Sequence, residues 1–159
     1  LVVVGSAPYS DAYTERIASL ADERVRLPGG IWDQELLDQL YAGALVYYHG
    51  HSVGGTNPSL LRAIGAGAAV DAFDVSFNRE VLGDAGRYWT GADDVARLVA
   101  SAEADPAAQA ARGELSRERA ALYDWDEVAD RYEALCRDLA ASGPRRERPS
   151  GRRTGIAPS

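Results

Sequence analysis

The sequence predicts an α/β fold: a parallel sheet with helices on both faces, followed by a helical C-terminal part. Three observations support this prediction. Short apolar runs alternate with amphipathic segments over residues 1–73, which is the pattern of βαβ units. The run Leu1-Val2-Val3-Val4 is continuous and β-branched, as expected for a strand buried on both faces of a parallel sheet. Beyond residue 73 the pattern is mostly helical, and right-handed crossovers place helices on both faces of the sheet.

The composition is that of an ordinary globular domain, and it excludes several classes of protein. The 159 residues are 46% hydrophobic and 26% charged, which is enough for one domain with a core. The net charge of −7 argues against a nucleic-acid-binding surface, so no nucleic-acid partner is expected. No apolar run approaches the roughly 20 residues of a membrane span. The single cysteine, Cys136, cannot form an internal disulfide, which favours a reducing compartment.

Four strands are expected, and glycine or proline ends several of them. They lie at residues 1–4, 25–27, 44–48 and 68–73. Gly5 ends the first strand, and Pro28 stops the second because proline has no amide hydrogen for the ladder. The loops after the first three strands begin at Gly5, Gly29 and His49. In a parallel sheet these loops share the carboxyl edge, where open α/β sheets bind ligands.

Helices are expected between and after these strands. They lie at residues 11–21, from Asp33 onward, and at 58–66, 93–102, 107–122 and 126–140. Asp11, Asp33 and Asn57 are good N-caps, and Pro58 suits the first position of a helix. We therefore expect one domain over residues 1–140. Residues 141–159 are rich in arginine and proline and are expected to be a disordered tail.

The loop at residues 49–59, HGHSVGGTNPS, carries the strongest chemical signal. Adjacent glycines let the backbone approach a ligand closely, because no Cβ intervenes. The start of the following helix offers amide groups and a partial positive charge, which suits a phosphate or diphosphate. The spacing matches neither a Walker A loop nor a GxGxxG fingerprint. The alternative is a glycine-rich turn and a capped helix without a ligand.

Other polar residues in this region admit more than one interpretation. His49 and His51 flank Gly50, but no Cys, Asp or Glu lies nearby to complete a metal site, so no metal is expected. These histidines either bond the backbone, line a polar pocket or donate to a phosphate or sugar hydroxyl. Arg62 either reaches ligand oxygens with its guanidinium or is a solvated helix arginine. Asp71, like Asp74, is expected to be a turn or cap residue rather than half of an acid/base pair, and the sequence contains no Ser-His-Asp signature.

Several segments together resemble a known family. They are LVVVGSAP, RVRLPG, HGHSVGGTNPSLLRA, FDVSFNREVLGDAGRY and, in the last helix, YDWDEVADRY. In this order they are similar to the C-terminal, donor-binding domain of retaining glycosyltransferases with the GT-B fold, in the large family-four group. The loop-and-helix segment most resembles the rhamnosyltransferase-like branch. The resemblance covers about residues 1–140 and implies a Rossmann-like domain that lacks its first strand.

The resemblance also implies a function for the parent protein. Such an enzyme moves a sugar, here with rhamnose from a dTDP donor as the first candidate, from a nucleotide diphosphate to a glycan or lipid-linked acceptor. Its expected partners are the nucleotide-sugar donor and an N-terminal acceptor domain of the same parent chain. No cofactor is implied. The expected setting is bacterial polysaccharide biosynthesis in the cytoplasm, with at most peripheral association with the inner membrane face. The fragment alone is expected to be inactive.

Site residues follow from the resemblance and from the chemistry of the loop. The expected ligands of the donor diphosphate and sugar are His51, Gly54, Gly55, Thr56, Asn57, Pro58 and Arg62. The expected nucleobase contacts are Gly29, Gly30 and Ile31, with Trp32 beside them. No catalytic residue is assigned.

The chain also departs from the family pattern. The broader family has two glutamates eight residues apart around this loop, and Gly54 and Arg62 occupy those positions here. The family's basic pair, an arginine and a lysine that neutralise the diphosphate, belongs to a segment upstream of Leu1. Two alternatives therefore remain: a nucleotide-sugar epimerase-like enzyme, and a non-catalytic nucleotide-binding or scaffolding module. An epimerase would need carboxylates that the loop does not have, whereas the lost glutamates favour the scaffolding module.

Overall fold

A computed structural model describes residues 1–6 and 11–143 of the chain. The chain divides into two compact units: one spans Leu1–Tyr123, and the other begins at Asp124. The last helix of the predicted domain over residues 1–140 lies in the second unit, and the extent of that domain stays a prediction. The predicted tail beyond residue 143 and the second half of the turn after Gly5 lie outside the described residues.

The first unit alternates strands and helices, as the sequence predicts. Its strands are β1 (Val2–Val4), β2 (Arg26–Gly29), β3 (Tyr47–His49), β4 (Val70–Phe73) and β5 (Gly86–Trp89). Its helices are α1 (Asp11–Leu20), α2 (Gln34–Gly43), α3 (Pro58–Gly65), α4 (Ser76–Leu82), a short 3₁₀ turn at Gly83–Ala85, α5 (Ala92–Ala104) and α6 (Pro106–Ala120). The second unit contains α7 (Trp125–Ala141).

All strand pairs are parallel, but they form two hydrogen-bonded sheets rather than the expected one. Among the described residues, β1 pairs with β2, and a separate sheet has the order β3-β4-β5. In the larger sheet, His49 is opposite Ala72, and Phe73 is opposite Trp89. The carboxyl ends of its three strands therefore lie side by side at one edge.

The expectation that the first strand is buried on both faces is wrong. Val2, Val3 and Val4 are 49%, 42% and 38% exposed. β1 pairs only with β2 within the described part of the chain, and α1 contributes no buried residue. Without a second neighbouring strand and a covering layer, an apolar run remains accessible to water.

Two further details of the strands differ from the sequence prediction. β2 continues through Pro28 to Gly29. Proline is tolerated there because β2 pairs with only one described strand, β1, so some of its backbone positions donate no hydrogen bond to a neighbouring strand. β5 lies in a region predicted to be helical. Its sequence, Gly-Arg-Tyr-Trp, lacks the apolar run that marks the strands predicted from the sequence.

The core of the first unit lies around β4 and α3. Leu60, Ala63 and Ile64 form the apolar face of α3 and are fully buried with Val70 of β4. Their spacing of three and four residues places them on one side of the helix. α6 approaches this core closely, since a Cβ added to Gly113 would lie 2.3 Å from the Gly67 carbonyl oxygen. Only glycine permits this contact.

A buried ion cluster joins β4, β5 and α6. Asp71 is completely buried, and its two oxygens accept hydrogen bonds from Arg87 Nε and Nη2 at 2.9 and 2.8 Å. Arg112 Nη2 donates to the same carboxylate at 2.9 Å and to the Val70 carbonyl. The expectation that Asp71 is a turn or cap residue is therefore wrong, because it lies within β4 and pairs with two arginines.

Candidate functional site

The candidate site is the loop at residues 50–57, between β3 and α3 at the carboxyl edge of the larger sheet. Residues 50–56 are exposed, whereas His49 just before them is fully buried. Gly54 has a φ of 128°, a backbone conformation that favours glycine. No other atom lies within 4 Å of a Cβ built on Gly54, so the backbone at this point faces open space.

Asn57 begins α3, as predicted. Its Oδ1 accepts a hydrogen bond from the Ser59 amide at 2.9 Å, and Pro58 takes the first helical position. The amides of Leu60 and Leu61 both donate to the Asn57 carbonyl, at 3.0 and 3.1 Å. The start of α3 is thus internally satisfied, so its own amides are not the groups free to bind an anion.

The amides of the loop itself remain available. No described residue accepts a hydrogen bond from the backbone amides of Gly54, Gly55 or Thr56. These three groups lie directly before a helix whose dipole is positive at this end. Among the described residues, the free backbone donors of this region therefore lie in the glycine segment, one step upstream of the helix start that the sequence argument emphasised.

A chain of polar side chains supports the loop from below. Ser59 Oγ donates to Asn57 Oδ1 at 2.6 Å. The Tyr47 hydroxyl donates to Ser59 Oγ at 3.3 Å. The Tyr47 hydroxyl also lies 3.2 Å from His49 Nδ1. These contacts tie the end of β3 to the first turn of α3, so the loop between them has two fixed ends.

His49, the last residue of β3, and His51 in the loop stack on each other. The rings of His49 and His51 are 4.7 Å apart and nearly parallel, at 15°. Burial, with a smaller contribution from neighbouring His51, lowers the pKa of His49 to about 4. His49 is therefore neutral at pH 7, and the exposed His51 covers it.

Asn78 and Trp89 contribute to the site and were missed by the sequence argument. Asn78 is buried and donates through Nδ2 to the carbonyls of His51 and Phe73, at 3.0 and 2.9 Å. Trp89 lies next to Gly50, where an added Cβ would be 3.9 Å from the indole ring. Asn78 falls within a segment quoted for the family resemblance, but nothing in its local pattern indicates that it anchors a loop 27 residues away.

Arg62 turns toward α2. Its Nε donates to Asp38 Oδ1 at 2.6 Å, and its two terminal nitrogens donate to the Gln34 side chain and carbonyl at 2.6 and 3.0 Å. This hydrogen bond also lowers the pKa of Asp38 below its usual range. The contact of Arg62 with a ligand stays a prediction, and in this structure the guanidinium joins α3 to α2.

The predicted nucleobase segment follows β2. Gly29 has a φ of 78°, and its carbonyl accepts from the Gly5 amide at 2.9 Å, which brings the ends of β1 and β2 together. Trp32 is 85% exposed, and its ring lies 3.5 Å from a Cβ built on Gly30. The Gln34 side chain donates to the Trp32 carbonyl. Because Gln34 also binds Arg62, one short polar path connects the predicted nucleobase segment to α3.

Two kinds of feature are absent from the described residues. No group of three or more His, Cys, Asp or Glu side chains among them is arranged to hold a metal ion. Within the same residues, no helix has the length and apolar character needed to cross a membrane.

Comparisons with known proteins identify structural neighbours only. No protein-family model matches the sequence, and a comparison with curated proteins gave no match. The HepE protein of Anabaena, solved with UDP, matches 87% of this chain with a TM-score of 0.77 and 17% identity. Sucrose-phosphate synthase from Thermosynechococcus elongatus matches 90% of the chain with a TM-score of 0.76 and 28% identity. The pneumococcal O-GlcNAc transferase GtfA, solved with UDP and GlcNAc, matches 86% with a TM-score of 0.61 and 20% identity.

The match covers only part of each neighbour. This chain spans 40% of the HepE chain, 39% of the synthase and 29% of GtfA. The shared part is an α/β unit of parallel strands flanked by helices. The chain therefore has the fold of the Rossmann-like, C-terminal domain of GT-B glycosyltransferases.

Proposed function

We propose that this chain is the donor-binding domain of a retaining glycosyltransferase that moves a sugar from a nucleotide diphosphate to a glycan or lipid-linked acceptor. The observation that carries the proposal is the exposed glycine loop at the carboxyl end of β3, where the amides of Gly54, Gly55 and Thr56 pair with no described residue. Two structural neighbours, solved with UDP or UDP-glucose and with UDP and GlcNAc, support a nucleotide-sugar ligand. Rhamnose is the first sugar to test, because the loop resembles the rhamnosyltransferase-like branch.

The chemistry suits a departing diphosphate. Transfer of a sugar leaves negative charge on the diphosphate, and preorganised hydrogen-bond donors stabilise that charge without a nucleophile. The amides of Gly54, Gly55 and Thr56 supply such donors, and Asn57 and Pro58 hold the start of α3 behind them. We propose no metal, since residues 50–57 contain no carboxylate to hold one.

The nucleobase is assigned to Gly29, Gly30 and Ile31, beside the exposed ring of Trp32. An exposed indole offers a flat surface for a base, and glycines allow close approach of the backbone. We assign Arg62 the role of holding α2 against α3, because it would have to leave Asp38 and Gln34 to reach a ligand.

The parent protein needs a second domain. The chain spans about two fifths of the first two neighbours, and the proposed activity requires a surface that binds the acceptor. We propose that an N-terminal acceptor domain of the same parent chain supplies it. The proposed setting is the bacterial cytoplasm, with at most peripheral contact with the inner membrane face.

Calorimetry of the intact protein with UDP, dTDP and GDP tests the proposal. We expect one of the three to bind, and Gly54→Ala to weaken that binding about tenfold, because alanine disfavours a φ of 128° and the loop must rearrange. Gly143→Ala is the matched control, since Gly143 also has a positive φ with no atom within 4 Å of the added Cβ. The absence of binding at millimolar concentrations of all three ligands would refute the proposal.

A non-catalytic nucleotide-binding module is the second candidate. It is favoured by the substitution of both family glutamates, at Gly54 and Arg62. The two candidates differ in turnover. Release of free nucleotide diphosphate from a sugar donor in the presence of acceptor, by the intact protein, supports the enzyme, whereas binding without turnover supports the module.

A further inference from the structure

The hydrogen bonds between Asn57 and His49 indicate which nitrogen of His49 carries its proton. The Ser59 backbone amide donates to one of the two terminal atoms of the Asn57 side chain. Because that atom accepts a hydrogen bond, it is the carbonyl oxygen Oδ1 and not the amide nitrogen. Ser59 Oγ lies 2.6 Å from the same oxygen. A carbonyl oxygen only accepts, so the single hydroxyl proton of Ser59 points to Asn57.

The direction of the next hydrogen bonds, from Ser59 to His49, then follows one contact at a time. Ser59 Oγ has used its proton, so at 3.3 Å from Tyr47 it accepts the tyrosine hydroxyl proton. With that proton directed to Ser59, the 3.2 Å contact between the Tyr47 oxygen and His49 Nδ1 favours donation from Nδ1 to Tyr47. A neutral imidazole carries one proton, which is therefore on Nδ1. His49 Nε2 is left with a lone pair and no hydrogen.

This lone pair is buried without a donor. His49 is completely buried, and no described residue forms a hydrogen bond with Nε2. The amide oxygen of Asn78 and the indole nitrogen of Trp89 are also buried and unpaired with any described group. All three residues contact or adjoin the first residues of the loop. Such groups cost about 1–3 kcal/mol each when unpaired, which favours a ligand that pairs them.

We propose that His49 Nε2 accepts a hydrogen bond from a hydroxyl group of the donor sugar. The inference rests on the proposed function and adds a specificity-determining residue to it. The oxygens of a diphosphate only accept at neutral pH, so they cannot pair with a lone pair. With the diphosphate on the amides of Gly54–Thr56, the attached sugar would bring hydroxyl groups, which can donate, to the same edge of the sheet. Because His49 is completely buried and the ring of His51 stacks on it, contact with the sugar requires His51 to move.

Two substitutions of His49 test the roles of its two ring nitrogens one at a time. His49→Asn places an amide nitrogen near the position of Nδ1, which preserves donation to Tyr47 but removes the acceptor at Nε2. His49→Gln reaches the position of Nε2 with an amide oxygen and so restores an acceptor. In the intact protein, calorimetry compares UDP with UDP-glucose, dTDP with dTDP-rhamnose and GDP with GDP-mannose. The informative pair is the one whose nucleotide binds.

We expect His49→Asn to weaken binding of the sugar nucleotide about tenfold and to leave binding of the free nucleotide within about twofold. His49→Gln should recover most of the loss. Equal losses for both ligands would show a structural role, and no loss for either would show that the sugar does not meet His49; either result overturns the inference. If no nucleotide binds the unaltered protein, the proposed function fails as well.

A second measurement needs no variant. Long-range ¹H–¹⁵N correlation spectra distinguish the protonated from the unprotonated nitrogen of a histidine ring. We expect Nε2 of His49 to be unprotonated, and its ¹⁵N signal to shift when the sugar nucleotide is added but not when the free nucleotide is added. A proton on Nε2, or identical responses to the two ligands, would overturn the inference.

Discussion

Replacing Asp71 by asparagine should remove much of the stability of the larger sheet. The Asp71 carboxylate is completely buried and accepts three charged hydrogen bonds, two from Arg87 and one from Arg112. Asparagine has nearly the same shape, so packing is preserved and the perturbation is electrostatic. The two guanidinium groups would remain in place with no counter-ion among their described contacts.

The expected magnitude follows from how deeply the arginines are buried. Removing one partner of a buried ion pair costs about 3–5 kcal/mol, because the other charge is left uncompensated. The side chains of Arg87 and Arg112 are 25% and 15% exposed, so water partly solvates them after the substitution. We therefore expect Asp71→Asn to lower the free energy of unfolding by about 3 kcal/mol, the lower end of that range.

Urea denaturation followed by circular dichroism measures this change. The urea concentration at the midpoint of unfolding should fall. The slope of the free energy of unfolding against urea concentration should stay the same, since the surface exposed on unfolding is unchanged. Glu114→Gln is the matched control on α6, because its ion pair with Arg117 has side chains 69% and 52% exposed and should contribute nothing measurable. A loss below about 1 kcal/mol for Asp71→Asn would refute the reasoning, since a surface pair contributes that much at most.

Three further predictions concern packing, pH and the loop. Gly113→Ala should destabilise the protein by about 2 kcal/mol in the same assay, because its Cβ would meet the Gly67 carbonyl at 2.3 Å; Gly43→Ala, with open space around it, is the control and should cause no loss. Burial lowers the pKa of His49 from 6.5 to about 4, so the neutral side chain favours the folded state, and this contribution is lost as the pH falls from about 6.5 to 4. Urea midpoints across that pH range should therefore decline less for His49→Gln than for the unaltered protein, and parallel declines would contradict the assignment. Asn78→Ala should release the His51 carbonyl and speed proteolysis within residues 50–57, with unchanged cleavage as the contrary result.

Local sequence patterns predicted the elements around the site well. Asn57 and Pro58 begin α3, and Asp33 caps α2 by accepting from the amides of Glu35 and Leu36, because a cap depends only on residues within one turn. The candidate loop could be recognised for the same reason, since its glycines and polar residues are contiguous. Asn78 and Trp89 could not, because they meet the loop from elements that are distant in sequence.

The sequence also overestimated the burial of one segment and overlooked a strand. An apolar β-branched run such as Val2–Val4 predicts a strand, but only its neighbours decide whether water reaches it. β5 contains a charged residue, Arg87, and a charged residue weakens the apolar pattern by which a strand is predicted. Asp71 on the adjacent strand neutralises that charge, and no local pattern can indicate such a pairing.

By itself, the sequence determined the alternation of strands and helices, the caps, and the glycine loop followed by α3, because these depend on backbone preferences of neighbouring residues. Only the tertiary structure decided the series of hydrogen-bonded contacts between Asn57 and His49 and the burial of Asp71. It also placed the Arg62 guanidinium against Asp38 of α2. These features join residues such as Asp71 and Arg112, 41 positions apart. Their energies arise from burial and charge, which exist only once the chain has folded.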